Sequence, residues 1–119
     1  MKATRGGFQA AELEDMVARA KAADGYAAAV LRSDLLSVGL YILPAGGVDS
    51  QNPHREDEVY YVVRGSATIR VGSDDHPVQS GTVLFVPAGA VHHFHDIKEE
   101  LVLVVFWAPP EKSVAAHTT

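Results

Sequence analysis

Three of the six histidines in this chain fall between residues 92 and 95, and a fourth, His54, stands four residues before Glu58. Imidazole and carboxylate are the donors that zinc, iron, nickel and manganese accept where thiolates are lacking. The 119 residues include no cysteine, which excludes disulfides, thiolate metal sites, iron–sulfur clusters and a cysteine nucleophile together. Any metal must be held by His, Asp, Glu or an amide oxygen. One ion keeps its ligand atoms within ~2.0–2.2 Å, so two ligating atoms lie at most ~4.4 Å apart. A straight strand would separate His54 from Glu58 by about 13 Å. The chain must therefore turn between them if both serve one ion, and Arg55-Glu56-Asp57 is a polar interval suited to that turn.

The elements that would carry these residues follow from periodicity. Leu13, Met16, Val17 and Ala20 recur at helical spacing, with Glu12, Glu14 and Asp15 near the start, Arg19 and Lys21 near the end, and Asp24-Gly25 as a stop. This predicts a helix over about residues 10 to 23. Beyond it the chain is a series of short β-rich runs: 26 to 31, 35 to 43, 59 to 63, 67 to 71, 82 to 86, 91 to 94 and 101 to 107. Turn residues separate them at 44 to 47, 64 to 66, 72 to 75, 80 to 81 and 87 to 89, so the expected fold is an antiparallel sandwich or barrel. Alternation places Glu58, Tyr60 and Val62 on one face and Val59, Tyr61 and Val63 on the other. It likewise places His92, Phe94 and Asp96 on one face and His93 and His95 on the other, so all three clustered histidines do not converge on one ion. The expected organisation is a helical extension over 1 to 25, a β-barrel over 26 to 110 and a tail over 111 to 119.

Composition narrows the function classes. Hydrophobic residues are 47% of the chain and charged residues 21%, the balance of a globular domain. Net charge is -5 with basic residues scattered singly, which argues against a nucleic-acid partner. No apolar run approaches the ~20 residues of a membrane-crossing helix, and the N-terminus does not read as a secretory signal, so no membrane association and a cytoplasmic location are expected.

The two histidine-bearing segments resemble the paired motifs of the cupin superfamily. Gly46, Asn52, Pro53, His54, Glu58 and Gly65 follow the first motif, in which a glycine is followed after five residues by His-x-His, then a glutamate and a final glycine. Gly81, Pro87, Gly89 and His92 follow the second, with Asp96 where the family usually has Asn. The resemblance spans roughly residues 35 to 108. It implies an all-β, double-stranded β-helix or jelly-roll barrel, here with one N-terminal α-helix, holding one divalent metal ion (Fe, Zn, Ni or Mn) in its mouth through His54, Glu58 and His92. Asn52 stands where the family's first histidine belongs. Its amide oxygen is a weaker, harder donor than imidazole, so Asn52 is either a weak or water-mediated ligand or a turn residue before Pro53.

Other residues keep two readings. Glu56 and Asp57 are explained by a solvated acidic turn, His93 and His95 by a surface or interface more readily than by a second metal site on the outer face, and Tyr60 by an active-site hydroxyl or a barrel-lining aromatic. The run from Leu101 to Trp107 reads as a core strand. The leading expectation is an enzyme acting on a small organic molecule at a mononuclear site, dioxygenase-like first because two His and one carboxylate is the arrangement of non-haem Fe(II) enzymes. Isomerase, lyase or decarboxylase chemistry is the alternative around other metals, and a non-catalytic small-molecule-binding or sensing module is the competing class. A homodimer is expected, because sheet edges and the apolar residues Val59, Tyr61 and Val63 offer surface to a partner.

Overall fold

A computed structural model describes residues 7 to 49 and 55 to 111. The helix α1 runs from Leu13 to Ala22, starting after Glu12 and ending as Asp24 and Gly25 enter the left-handed region. Six strands follow: β1 (Tyr26–Arg32), β2 (Ser37–Leu43), β3 (Asp57–Val71), β4 (Asp74–Gln79), β5 (Val83–Val86) and β6 (His92–Ala108). All pair antiparallel, in the order β1-β2-β6-β3-β4, with β5 also on β3.

One expected turn is absent, and two runs expected as separate strands are continuous. Arg64-Gly65-Ser66 lies within β3, and the two runs 91 to 94 and 101 to 107 are parts of one strand, β6. Residues 74 to 75, expected in a turn, begin β4, whose Pro77 is tolerated because β4 is an edge strand. The sequence signals were real but marked bends. Register shifts between Val62 and Thr68 let β3 and β6 bend together while staying paired. Gly65, at φ 102°, sits at the centre of this bend, where an added Cβ would run into the Glu100 carbonyl and lie 2.7 Å from Leu101 Cα. Only glycine allows both that φ and that approach.

The alternation expected for β3 holds. Glu58, Tyr60 and Val62 are buried, whereas Tyr61 is 42% exposed and Val59 and Val63 are half-buried. The inward residues form the main core with Phe94, Leu101, Leu103, Val105 and Trp107. A second core lies on the outer face, where Met16, Val17 and Ala20 of α1 pack on Ala27, Val38, Leu40, Ile42 and Val102. Burying a side chain such as Met16 or Val17 contributes ~1.5–3 kcal/mol, so this face holds the helix to β1 and β2. Asp96 departs from the expected parity. Its φ of 50° interrupts the alternation, turns its carboxylate to solvent and gives the inward place to Ile97.

Gly72 supplies a control for the bend, since it shares a positive φ of 62° but has nothing within 4 Å of a Cβ. Gly65→Ala should lose at least about 2 kcal/mol more than Gly72→Ala in urea unfolding, because only Gly65 adds a backbone collision to the strained φ. Equal losses would refute the close β3–β6 crossing.

Candidate metal centre in the barrel interior

Glu58 and His92 enter the same interior from the far ends of two paired strands, and both are buried, at 1% and 3% exposure. Glu58 Oε1 lies 3.0 Å from His92 Nε2. The other imidazole nitrogen, Nδ1, lies 2.8 Å from the Ala90 carbonyl. That carbonyl can only accept, so Nδ1 carries a proton and Nε2 is the nitrogen directed inward. Glu58 Oε2 accepts from Trp107 Nε1 at 2.9 Å and from the Tyr60 hydroxyl at 3.3 Å. The same hydroxyl lies 3.1 Å from His92 Nε2.

The sequence explains how these side chains meet. Parity sends Glu58 and Tyr60 inward, and register places Trp107 opposite Glu58. His92 follows the Pro87-Ala88-Gly89 turn, which is pinned by the Ala88 N–H donating to Asp57 Oδ1 at 2.9 Å. Asp57 is therefore a turn anchor. Glu56, expected to be solvated, is instead buried at 3% exposure, immediately before β3.

His92 and Glu58 suit a divalent metal by the chemistry of their facing atoms. An imidazole lone pair and a carboxylate oxygen 3.0 Å apart repel unless a proton or a cation lies between them. Two ligands at ~2.1 Å subtending a right angle are separated by about that distance. A backbone carbonyl holding the remote imidazole N–H is the usual support of a metal-ligating histidine. With a proton in that position, burial pushes His92 down, but the hydrogen bond to Glu58 and the Ala90 carbonyl outweigh it and the net shift is upward. Among the described residues no group of three or more His, Asp or Glu converges in metal-binding fashion. Asn52 and His54 lie outside the described residues.

Several neighbours were not singled out by motif. Asp49 is buried, with Oδ1 accepting from the Tyr41 hydroxyl at 3.0 Å and Oδ2 from the Phe94 N–H at 2.8 Å. Glu111 is buried and accepts from the Tyr26 hydroxyl at 2.8 Å. Tyr26 and Tyr41 face each other across β1 and β2. Their alternation with the outward Ala27 and Leu40 was the available signal, but the carboxylates that meet them come from distant segments. His93 and His95 turn outward as expected, their ring centroids 5.6 Å apart, and His95 lies between Asp75 and Asp96.

Comparison with known proteins agrees with this architecture. A family model described as "Cupin domain" matches residues 39 to 109. Protein SCO3923 of Streptomyces coelicolor is 48% identical over 104 residues, covering 87% of this chain and 99% of its own length. The crystal structure of TT1209 from Thermus thermophilus superposes with a TM-score of 0.67 at 29% identity, covering 86% of this chain and 98% of that one. A Klebsiella pneumoniae protein described as having a double-stranded β-helix domain superposes with a TM-score of 0.71 at 17% identity over 87% of this chain and 92% of its own. With the strand order, the bent β3–β6 pair and the matched family model in agreement, the chain belongs to the cupin family and has its double-stranded β-helix fold, with an N-terminal helix added.

Proposed function

We propose that this cupin is a cytoplasmic, metal-dependent enzyme acting on a small organic molecule inside its barrel, with dioxygenase-like chemistry as the leading reaction class. The observation that carries the reading is the buried 3.0 Å contact between Glu58 Oε1 and His92 Nε2, with the remote imidazole N–H tied to Ala90. His92 and Glu58 would hold the ion, joined by His54 from the first motif. Such an ion supplies a Lewis acid or, as Fe(II), a site for oxygen chemistry. Trp107 holds Oε2 of Glu58 and thereby aims Oε1 at His92. Tyr60, fully buried, keeps its hydroxyl between the carboxylate and the imidazole, where it can hold a proton beside a bound molecule. Apolar walls such as Phe94 and Leu103 exclude water, which strengthens each of these interactions.

A second reading is favoured by the Tyr60 hydroxyl itself. Its 3.1 Å contact with Nε2 uses the lone pair that a metal would need, so the same residues can form a closed polar network in a non-catalytic binding module. Metal analysis separates the two. Protein loaded with Fe(II) or Zn should retain about one ion per chain. His92→Ala and Glu58→Gln should abolish retention, and His93→Ala should leave it intact. Retention unaffected by His92→Ala would refute the site, and a metal-free protein that still binds small molecules would favour the second reading. Oxygen uptake by the Fe(II) form on a substrate panel tests the reaction class.

Asn52 gives a finer test. As a weak or water-mediated ligand, its replacement in Asn52→His should tighten zinc binding about tenfold, since imidazole suits Zn better than an amide oxygen. Unchanged affinity in a chelator competition would assign Asn52 to the turn and leave His54, Glu58 and His92 as the protein-derived ligands.

We also propose a homodimer formed through the sheet face that α1 leaves uncovered. Tyr61, Val83 and Phe85 are 42%, 64% and 63% exposed there, and Tyr61 pairs with Val83 as Val59 does with Phe85. Exposed apolar side chains on a β face are surface that a second copy can cover. Sedimentation at micromolar concentration should show a dimer that Phe85→Glu converts to monomer, and a monomeric parent protein would end the claim.

A further inference from the structure

On the reading of His92 and Glu58 as the working site, we infer that Asp49 and Asp57 are positioning residues, a pair of backbone clamps on either side of His92 that hold its imidazole against Glu58. His92 needs such support because of where it sits. β2 pairs with residues 101 to 107 of β6, whereas residues 92 to 95 pair with β3 alone among the described strands. The other edge of this half of β6 is met by a loop. The Gly46 N–H donates to the Ile97 carbonyl at 2.8 Å, and the Phe94 N–H donates to Asp49 Oδ2 at 2.8 Å, so residues 46 to 49 lie along β6 up to two positions from His92.

Asp49 is built for this task. It is buried at 6% exposure, and its Oδ1 accepts from the Tyr41 hydroxyl at 3.0 Å, so the carboxylate is tethered to β2 on one side and grips β6 on the other. A backbone N–H bonds a carboxylate more strongly than a neutral acceptor, and a buried N–H left without one is costly. Asp57 grips the opposite flank. Its Oδ1 accepts from the Ala88 N–H at 2.9 Å, in a turn that the Ala90 N–H closes on the Pro87 carbonyl at 3.1 Å. The Ala90 carbonyl in turn faces His92 Nδ1 at 2.8 Å. Asp57 also immediately precedes Glu58, so one peptide step joins the clamp on the histidine's turn to the carboxylate that the histidine meets. Both aspartates act on His92 through its backbone, as the outer partners of a ligating side chain do.

Substitution by Ala removes the acceptor, whereas Asn keeps an oxygen for the same N–H and loses only the charge. At position 49 the Asn amide can also donate to the Tyr41 hydroxyl, so both contacts survive. In metal-free protein, NMR should show the His92 Nδ1–H as a resonance slow to exchange with water. Asp49→Ala and Asp57→Ala should broaden or abolish it, and Asp49→Asn and Asp57→Asn should keep it. Zinc affinity in a chelator competition should fall at least about tenfold in Asp49→Ala and about threefold in Asp57→Ala, whose clamp is exposed, and stay within about twofold in the Asn variants. Val17→Ala, which weakens only the outer core, should leave both readouts unchanged, which separates positioning from lost stability. Should Asp49→Ala fail to fold, Tyr41→Phe, which removes only the tether on Oδ1, takes its place with a smaller loss in the same direction. Asn variants as damaging as Ala would overturn the inference, since charge and not the clamp would then matter, and so would Ala variants with an unaltered His92 signal. Parent protein that binds no zinc yet shows the Ala-sensitive signal defeats the metal reading alone, and zinc binding that survives both Ala variants unchanged defeats this inference alone.

Discussion

The contact between Glu58 and His92 dictates the shape of the molecule. His92 is opposite Val71 on β3, thirteen positions beyond Glu58, which in a straight strand would place the two about 43 Å apart. Their side chains are 3.0 Å apart. The paired strands β3 and β6 must therefore curl back until their two halves face each other, and the register shifts around Gly65 are where they do so. Neither half of the pair could form the site alone. One brings the carboxylate and its tryptophan, the other the histidine and the turn that aims it.

Such a contact is costly to maintain. Moving a carboxylate out of water carries a penalty of several kcal/mol even after relaxation, and it is offset only by well-placed donors. Glu58 receives them from Trp107 and Tyr60, with His92 adjacent. These partners sit among Phe94, Leu103 and Val105, so the polar group is surrounded by the side chains that stabilise the fold. The dry setting that makes the burial expensive also makes each hydrogen bond stronger, and it fixes one rotamer for each participant. Stability and site geometry are consequently coupled through the same residues. The outer face is under no such constraint. It carries α1 over β1 and β2, and the histidines of its other half remain beside Asp75 and Asp96 at the surface.

What the sequence disclosed was local. The period of Leu13, Met16, Val17 and Ala20 located the helix to within about three residues at its start, and alternation oriented Glu58, Tyr60, Tyr61 and His92 correctly. Motif spacing, borrowed from a family, selected His92 over His93 and His95, and the structure brings His92 rather than its neighbours to Glu58. What stayed hidden depended on distant partners. Gly65 reads as a turn residue because a turn and a bulge ask the same freedom of the backbone, and only the neighbouring strand decides between them. Asp96 was misplaced because alternation assumes an unbroken strand, and one positive φ cancels it. Trp107, Asp49 and Glu111 come from three separate segments, and no short window of sequence contains the register that unites them with Tyr60, Tyr41 and Tyr26. Asn52 and His54 lie outside the described residues, so for them the motif alone speaks.

Tyr60 links the two characters of this interior. Its hydroxyl is within hydrogen-bonding range of both Glu58 Oε2 and His92 Nε2, and one proton cannot serve both acceptors at once. Whatever stands between Nε2 and Oε1, a proton or a cation, decides which acceptor the hydroxyl faces. With that position filled, the Nε2 lone pair is taken and the phenol turns to the carboxylate. With it vacant, the phenol relieves the repulsion by donating to nitrogen. Trp107, packed edge-on against Tyr26, donates its indole N–H to Oε2 in both cases. The anchored carboxylate can therefore keep its place while the proton on Tyr60 shifts, so one oxygen of Glu58 is fixed by the fold and the other faces whatever occupies the gap to His92.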